Sequence, residues 1–275
     1  MKSDITFGQY CEGDSFIHRL DPRAKIIIAI LYIVAIFLSK SVTAFALLVI
    51  TACVATALTL LSPKMIIRSM KPILFIIIFT AVINIFWMTG EKLLVHFGII
   101  NIYLEGIINA GLIVLRIMLL ITSTSVFLTY TTTPLALTDA LESLLSPLKK
   151  IHVPVHEFSM IMTIALRFIP TLIDETEKII SAQTARGADF SSGNIVKRAK
   201  ALVPVIIPLF ASAFRRADDL ATAMECRCYT GGEGRTRMNV LRSKPIDWIT
   251  VGVIVLLCVS VVLLNKYMPV YSLVL

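Results

Sequence analysis

The sequence predicts an all-α polytopic membrane protein with about five transmembrane helices and additional long helices on the cytoplasmic side or at the membrane interface. Hydrophobic residues make up 57% of the 275 residues, and the mean hydropathy of +0.85 is far above that of soluble proteins. The net charge is +8, but the basic residues flank apolar segments and form no single tract. This distribution is typical of membrane proteins and argues against nucleic acid as a partner.

Five apolar segments predict the transmembrane helices. They are Ile26 to Leu38, Ser41 to Leu61, Ile73 to Thr89, Ile107 to Tyr130 and Ile246 to Leu264. A hydrocarbon core about 30 Å thick needs about 20 helical residues, so the second, fourth and fifth segments are long enough to span it. The first segment is short, and we expect Arg23 and Lys25 beside it to extend their side chains to the interface.

The charges of the connecting segments predict the orientation. One side carries Arg19, Arg23, Lys25, Lys64, Arg68 and Lys71, whereas the other carries Lys40, Lys92, Glu91 and Glu105. Because basic connections stay in the cytoplasm, the N-terminus is expected inside and the last helix is expected to end outside. The first 25 residues contain four carboxylates and no apolar run, so no secretory signal is expected.

This topology divides the chain into three parts. Residues 1–130 hold an N-terminal cytoplasmic segment and four transmembrane helices, residues 131–245 form a cytoplasmic helical region, and residues 246–275 hold the last transmembrane helix. In the middle part, Thr133 is a suitable helix N-cap and Pro134 a suitable first residue, and Pro147 ends that short helix.

Two long helices are predicted in the middle part, from about Pro154 to Arg186 and from about Asn194 to Cys228. Pro170 interrupts the first, and Pro204 and Pro208 interrupt the second. Each begins apolar and becomes charged, so we expect the first half to pack at the membrane interface and the second half to project into the cytoplasm.

Ion pairs within the helices should support the charged halves, Asp174 with Lys178 and Arg215 with Asp219. In an alternative topology the apolar halves cross the membrane, which would place Arg167 within the bilayer and two prolines in the other segment. The sequence favours helices that lie on the surface or re-enter it.

Neither metal chemistry nor nucleotide chemistry is indicated. HEFSM at His156 has Met160 where a zinc protease needs its second histidine, and the spacing of Cys226 and Cys228 is not that of a typical zinc site. The glycine-rich GGEGRTR that begins at Gly231 lacks the ending of a phosphate-binding loop. No cofactor is therefore expected.

Arg116 is the one clearly intramembrane charge. Two uses are open: a contact with a partner, or pairing within the chain with backbone carbonyls or Asn84.

An arginine between small residues ends each long helix, in Ala185-Arg186-Gly187 and, 41 residues later, in Cys226-Arg227-Cys228. Either arginine alone fits an ordinary helix C-terminus, where a cation stabilises the helix dipole and Gly187 allows a left-handed cap. Because the two helices are built alike, the pair also fits two acidic grooves on partner subunits.

The chain resembles the T component of energy-coupling factor (ECF) transporters, a family of membrane importers. The resemblance rests on HRLDPRAK at residues 18–25, the four apolar segments, TARGADF, AMECRCYTGGEGRTR and the final span, and it covers nearly the whole chain. The second arginine motif departs from the usual Ala-Arg-Gly or Ala-Arg-Ser because cysteines replace the small neighbours.

The resemblance implies a non-catalytic scaffold in a prokaryotic plasma membrane. It would join two cytoplasmic ABC-type ATPase subunits to a substrate-binding membrane subunit, the S component, for uptake of a B-group vitamin or a transition-metal ion. ATP hydrolysis would take place in the partners. Arg186 and Arg227 would each dock in one ATPase, flanked by Ala185, Gly187, Cys226 and Cys228.

Two other classes remain as alternatives. A conventional permease that forms its own substrate path would need polar residues on several spans, and the chain offers Asn84, Arg116 and the run Thr122 to Ser125. A membrane-embedded enzyme would need converging histidines, carboxylates or cysteines, which the four histidines do not supply.

Overall fold

The computed structural model describes residues 10–11, 13–60, 62–87, 93–97, 100–190, 194–231, 241 and 243–267. Nine α-helices lie in these ranges. They are α1 (Pro22–Leu38), α2 (Val42–Leu58), α3 (Pro63–Met70), α4 (Leu74–Trp87), α5 (Leu104–Thr124), α6 (Pro134–Leu145), α7 (Val155–Ala185), α8 (Ile195–Cys226) and α9 (Pro245–Tyr267). The predicted helical fold class is confirmed.

Four helical stretches are long and apolar enough to cross a membrane. They are Lys64–Trp87, Leu104–Thr129, Val155–Ala185 and Pro245–Tyr267, and α2 is a shorter apolar helix. Lys64–Trp87 joins α3 and α4 through a turn of 3₁₀ helix at Lys71–Ile73, and Leu104–Thr129 joins α5 to a π-helical turn at Ser125–Thr129. By length and composition, the first of the two long middle helices is therefore also a candidate span.

One feature of the fold is absent from the prediction. Before α5, β1 (Leu93–Phe97) pairs antiparallel with β2 (Ile100–Tyr103). The two strands form a hairpin in the connection between α4 and α5, for which the sequence predicts only the charges. The predicted charges Glu91 and Lys92 in that connection lie outside the described residues.

Contacts divide the chain into two compact units. The first contains residues 1–140 and 241–275, and the second contains residues 141–240. In the first unit α1 packs against α9 and α5, α2 packs against both of them, and α4 packs against α5. The buried Tyr32 hydroxyl donates to the carbonyl oxygen of Leu48 at 2.6 Å, which joins α1 to α2 in the core of this unit.

The HRLDPRAK segment begins α1 and fixes its first turn. Asp21 is the N-cap, with its carboxylate accepting from the Arg23 amide at 2.9 Å, and Pro22 is the first helical residue. The Asp21 amide donates to Oδ1 of Asp247 at 3.0 Å, and the Lys244 amide donates to Oδ2 of Asp247 at 2.6 Å. Asp247 thus connects the start of α1 to the start of α9.

Lys25 makes the second long-range connection of this segment. Its side chain is buried, and Nζ donates to the carbonyl oxygens of Thr131 at 2.7 Å and His18 at 3.2 Å. His18 in turn contacts the Ser15 hydroxyl at 2.6 Å through Nδ1. The expectation that Lys25 extends to the interface is therefore wrong, because two backbone carbonyls hold its ammonium group inside the unit.

In the second unit, α7 and α8 form an antiparallel pair. The Gln183 amide nitrogen lies 3.5 Å from the Pro204 carbonyl oxygen, and Arg216 donates to the Glu175 carboxylate at 2.7 Å. Residue numbers therefore fall along α7 as they rise along α8. Both helices continue through their internal prolines, Pro170 in α7 and Pro204 and Pro208 in α8.

Candidate functional site

The C-terminus of α7 is closed by a pair of backbone hydrogen bonds around Arg186. The Gly187 amide donates to the Thr184 carbonyl oxygen at 2.9 Å, and the Ala188 amide donates to the Gln183 carbonyl oxygen at 3.0 Å. Gly187 has a φ of +89°, which is the left-handed residue that this Schellman-type cap requires. Arg186 is thereby held as the last residue before the chain turns away from the helix axis.

The C-terminus of α8 repeats this arrangement around Arg227. The Cys228 amide donates to the Glu225 carbonyl oxygen at 2.8 Å, and the Tyr229 amide donates to the Met224 carbonyl oxygen at 3.0 Å. Cys228 takes the left-handed position with a φ of +54°. Arg227 therefore occupies the same place in its cap as the arginine that ends α7.

The departure from the usual motif at Cys228 therefore leaves the backbone geometry unchanged. A side chain in the left-handed conformation costs roughly 1–2 kcal/mol relative to glycine, and the cap is formed nevertheless. Cys226 and Cys228 are both exposed and free of disulfides, and Ala185 and Gly187 are exposed on the other helix.

Both arginine side chains are presented to solvent. Arg186 and Arg227 are exposed, and neither guanidinium forms an ion pair or hydrogen bond with another residue in the described part of the chain. A guanidinium carries five N–H donors and stays charged at physiological pH. Each is available for bidentate recognition of a carboxylate on another molecule.

The antiparallel pairing places the two arginines at opposite ends of the helix pair. The Arg216–Glu175 ion pair lies between them, and each arginine is 11 residues beyond the ion-pair residue of its own helix. At 1.5 Å per residue, the two caps are separated by about 30 Å along the pair. The structure brings their helices together and holds the guanidinium groups apart.

The charged halves are stabilised differently from the prediction. The intrahelical pairs Asp174–Lys178 and Arg215–Asp219 do not form among the described residues, and Arg215 Nε donates to the Ala211 carbonyl oxygen at 3.3 Å. The ion pair that forms, Arg216 with Glu175, joins the two helices. Its side chains are 38% and 23% exposed, and partial burial favours it over fully exposed pairs.

Arg116 is used within the chain. Its guanidinium donates to the carbonyl oxygen of Ser39 at 3.0 Å and lies over the ring of Phe45, 5.4 Å from the centroid. The predicted carbonyl partner is therefore present. Asn84 is not a partner, because its amide donates to the Thr80 carbonyl oxygen.

Residues considered for metal or nucleotide chemistry have other positions. His156 Nδ1 lies 3.1 Å from the Glu142 carboxylate and so belongs to a local contact. Among the described residues, no group of three or more histidines, cysteines and carboxylates could hold a metal ion. Gly231 follows the α8 cap with a φ of +104°, and residues 232–237 of the glycine-rich stretch lie outside the described residues.

Sequence reasoning missed the contribution of Lys25 and the connection between Asp21 and Asp247. Two signals could have revealed that connection. Asp21 directly before Pro22 is an N-cap followed by a proline at the first helical position. An isolated Asp247 at the start of an apolar segment needs a partner, because a carboxylate buried without one is costly.

Comparisons with known proteins show the family to which the chain belongs. The model of the CbiQ family, described as cobalt transport protein, matches residues 13–238. The chain is 52% identical over 265 residues to the energy-coupling factor transporter transmembrane protein EcfT of Ruminiclostridium cellulolyticum, covering 96% of this chain and 98% of the relative.

Relatives in other organisms carry the same description. The EcfT of Clostridium kluyveri is 50% identical over 264 residues, covering 95% of this chain and 97% of the relative. The EcfT of Lactococcus lactis subsp. cremoris is 42% identical over 263 residues, covering 96% and 98%. The chain belongs to the EcfT family, the transmembrane proteins of energy-coupling factor transporters.

Proposed function

We propose that this chain is the scaffold of an ECF-type importer and joins two cytoplasmic ATP-binding subunits to a substrate-binding membrane subunit. Residues 131–245 form the coupling region on the cytoplasmic side. Although α7 is long and apolar enough to span a membrane, its second half is charged and forms an ion pair with α8, which favours this placement. The N-terminus is cytoplasmic. The chain itself is non-catalytic, with ATP hydrolysis in the partner subunits. The host is a prokaryote, and the complex lies in its plasma membrane.

The observation that carries this proposal is the matched pair of capped arginines. Arg186 and Arg227 occupy equivalent positions in equivalent caps, both exposed, at opposite ends of one helix pair. An arginine that only stabilised its helix dipole would need no counterpart on the neighbouring helix. Two equivalent cations about 30 Å apart fit two similar acidic grooves on two subunits.

Rigid caps favour this role. The left-handed residue after each arginine turns the chain away, so the guanidinium stands at the tip of the helix with no following turn to cover it. Because the backbone is already fixed by two hydrogen bonds, docking orders mainly the side chain, which lowers the entropic cost of binding.

Movement of the ATPases would be transmitted through α7 and α8. When the two ATPases approach each other, the ends of the helix pair that carry Arg186 and Arg227 are displaced. The ion pair between Arg216 and Glu175 keeps the helices together near the middle of the pair. The apolar first halves of α7 and α8 then pass the displacement to the substrate-binding subunit.

The cargo is a B-group vitamin or a transition-metal ion, captured by that subunit. The family model that matches this chain is described as cobalt transport protein, whereas the names of the EcfT relatives specify no substrate. In this proposal substrate choice belongs to the partner, and this chain would serve either cargo by the same coupling.

The test is co-purification of the chain with a pair of ATP-binding subunits expressed with it. Arg186→Glu together with Arg227→Glu should abolish recovery of both subunits, and each single reversal should weaken the attachment of one. Arginine-to-lysine changes should reduce recovery less than reversals, because a lysine retains the charge and loses the bidentate geometry.

The matched control reverses two other exposed cations on the same helices, Lys178→Glu on α7 and Arg215→Glu on α8. The control changes the net charge equally and should leave recovery unchanged. All variants should reach the membrane fraction in equal amounts. Recovery of both ATP-binding subunits with the Arg186/Arg227 double variant would refute the proposal.

A further inference from the structure

The connector between α6 and α7 has a defined backbone and is exposed along its length. Ser146–Ile151 forms a 3₁₀ helix that ends at His152, which has a φ of +60°. The His152 amide donates to the Lys149 carbonyl oxygen at 3.1 Å, and the Val153 amide donates to the Leu148 carbonyl oxygen at 3.4 Å. The connector is thus a capped helical turn with a fixed set of outward-facing side chains.

Three of these side chains are large and apolar. Leu148 is 39% exposed, Ile151 is 76% exposed and Val153 is 42% exposed, all within six residues. Ile151 is the most exposed aliphatic side chain among the described residues of the second unit. This clustering differs from the single apolar residues scattered over ordinary protein surfaces.

Positive charge alternates with this apolar surface. Lys149 and Lys150 are exposed, and neither forms an ion pair with a described residue. The sequence contains no carboxylate between Glu142 and Glu157, and Glu142 contacts His156. The connector therefore presents two cations and three apolar side chains with no local negative charge to offset them.

We propose that residues 146–153 bind the headgroup region of an anionic phospholipid bilayer. In this arrangement Ile151 and its apolar neighbours enter the boundary between headgroups and acyl chains, and Lys149 and Lys150 contact phosphate groups. Lysine beside exposed aliphatic side chains is the composition that favours such an interface. Since the chain is a multi-pass membrane protein, a bilayer always lies beside it.

The inference goes beyond the proposed coupling function and does not depend on it. The connector is separate in sequence from both arginine caps, and lipid binding requires no ATP-binding subunit. Its consequence for transport would be a second attachment of the coupling region, to the membrane surface.

The experiment is amide hydrogen exchange, read by mass spectrometry, on the full chain in nanodiscs. One preparation contains phosphatidylcholine alone, and the other contains phosphatidylcholine mixed with phosphatidylglycerol. Each lysine near an anionic surface favours the bound state about fivefold, so two lysines favour it about 30-fold. Exchange across residues 146–153 should be about 10- to 30-fold slower with phosphatidylglycerol. Salt at about 1 M should remove the difference by screening.

Variants separate lipid binding from general charge. Lys149→Gln together with Lys150→Gln should remove the slowing caused by phosphatidylglycerol. The control is Lys178→Gln together with Arg215→Gln, which loses the same charge from exposed positions on α7 and α8. This control should retain the slowing of exchange. Ile151→Ser should reduce it by removing the apolar anchor.

Three results would overturn the proposal. The first is equal exchange of the connector in the two preparations of the unmodified chain, which needs no variant to interpret. The second is a Lys149/Lys150 variant that keeps the slowing. The third is protection of the connector only after ATP-binding subunits are added, which would identify a protein as its partner.

Discussion

Replacing Lys25 with methionine should destabilise the first unit strongly, although this lysine lies far from the arginine caps in sequence. Lys25 is 1% exposed, and its ammonium group donates to the carbonyl oxygens of Thr131 and His18. Burial disfavours the charged form of this group, and the carboxylates of Asp247 and Asp21 lie close enough to oppose that effect electrostatically. Methionine has a similar length and an apolar end, so the change removes the charge and its hydrogen bonds with little loss of volume.

The magnitude follows from these contacts. Hydrogen bonds from a charged group contribute about 1.5–3 kcal/mol each. Two of them are lost, whereas removal of the buried charge offsets part of that loss. Lys25→Met should therefore lower the free energy of unfolding by about 2–4 kcal/mol, a large share of the roughly 5–15 kcal/mol of a typical domain.

Reversible unfolding in mixed micelles with increasing dodecyl sulfate measures this change, with tryptophan fluorescence as the signal. Lys178→Met is the matched control, because it makes the same substitution at an exposed position, and it should change stability by less than about 0.5 kcal/mol. Lys25→Gln keeps a donor and should fall between the two. A Lys25→Met variant as stable as the Lys178→Met control would refute the reasoning about the buried ammonium group.

Four further substitutions test single positions. Gly187→Ala should lower the stability of its cap by about 1 kcal/mol, and Cys228→Gly should raise that of the other by up to about 1 kcal/mol, measured by amide exchange at the helix ends. Asp247→Ala should cost about 1–2 kcal/mol in the micelle assay, because the Asp21 amide and the start of α9 lose their acceptor. Arg116→Met should leave recovery of ATP-binding subunits unchanged, since the Ser39 carbonyl oxygen and the Phe45 ring already contact this guanidinium; loss of recovery would show a role in assembly.

The long helices of the second unit could be predicted closely from sequence. Their expected ranges of 154–186 and 194–228 compare with Val155–Ala185 and Ile195–Cys226 in the structure. Hydropathy, flanking prolines and the glycine after the first helix are local signals, and helix ends are decided by local hydrogen bonds. The internal prolines were misleading as breaks, because both helices continue through them.

The contacts between elements could not be predicted in the same way. Exposed pairs four residues apart on one helix contribute only a few tenths of a kcal/mol, so tertiary contacts decide which charges meet. Arg216 meets Glu175 across 41 residues, and Asp21 meets Asp247 across 226. No local pattern encodes such separations. The β1–β2 hairpin was missed because its strands of five and four residues give too short a periodic signal.

The candidate site shows both limits together. The sequence predicts two arginines at two helix ends, and local geometry confirms both caps, including the one closed by Cys228 in place of glycine. The sequence predicts that the two arginines act as a pair, but it does not predict how far apart they lie. Only the antiparallel register, defined by contacts between α7 and α8, places them at opposite ends.

Under the proposed function, this separation constrains how the helix pair would transmit motion. Each cap lies 11 residues, or about 16 Å, from the ion pair between Arg216 and Glu175. If the pair turns about that point, a rotation of about 10° displaces each cap by about 3 Å, in opposite directions. Under the proposed function, two docked ATP-binding subunits would turn the pair only by the part of their movement that is perpendicular to its axis, because rotation leaves the caps about 30 Å apart. A chain with Arg186 or Arg227 alone should bind one subunit and fail to convert its movement into rotation of the pair.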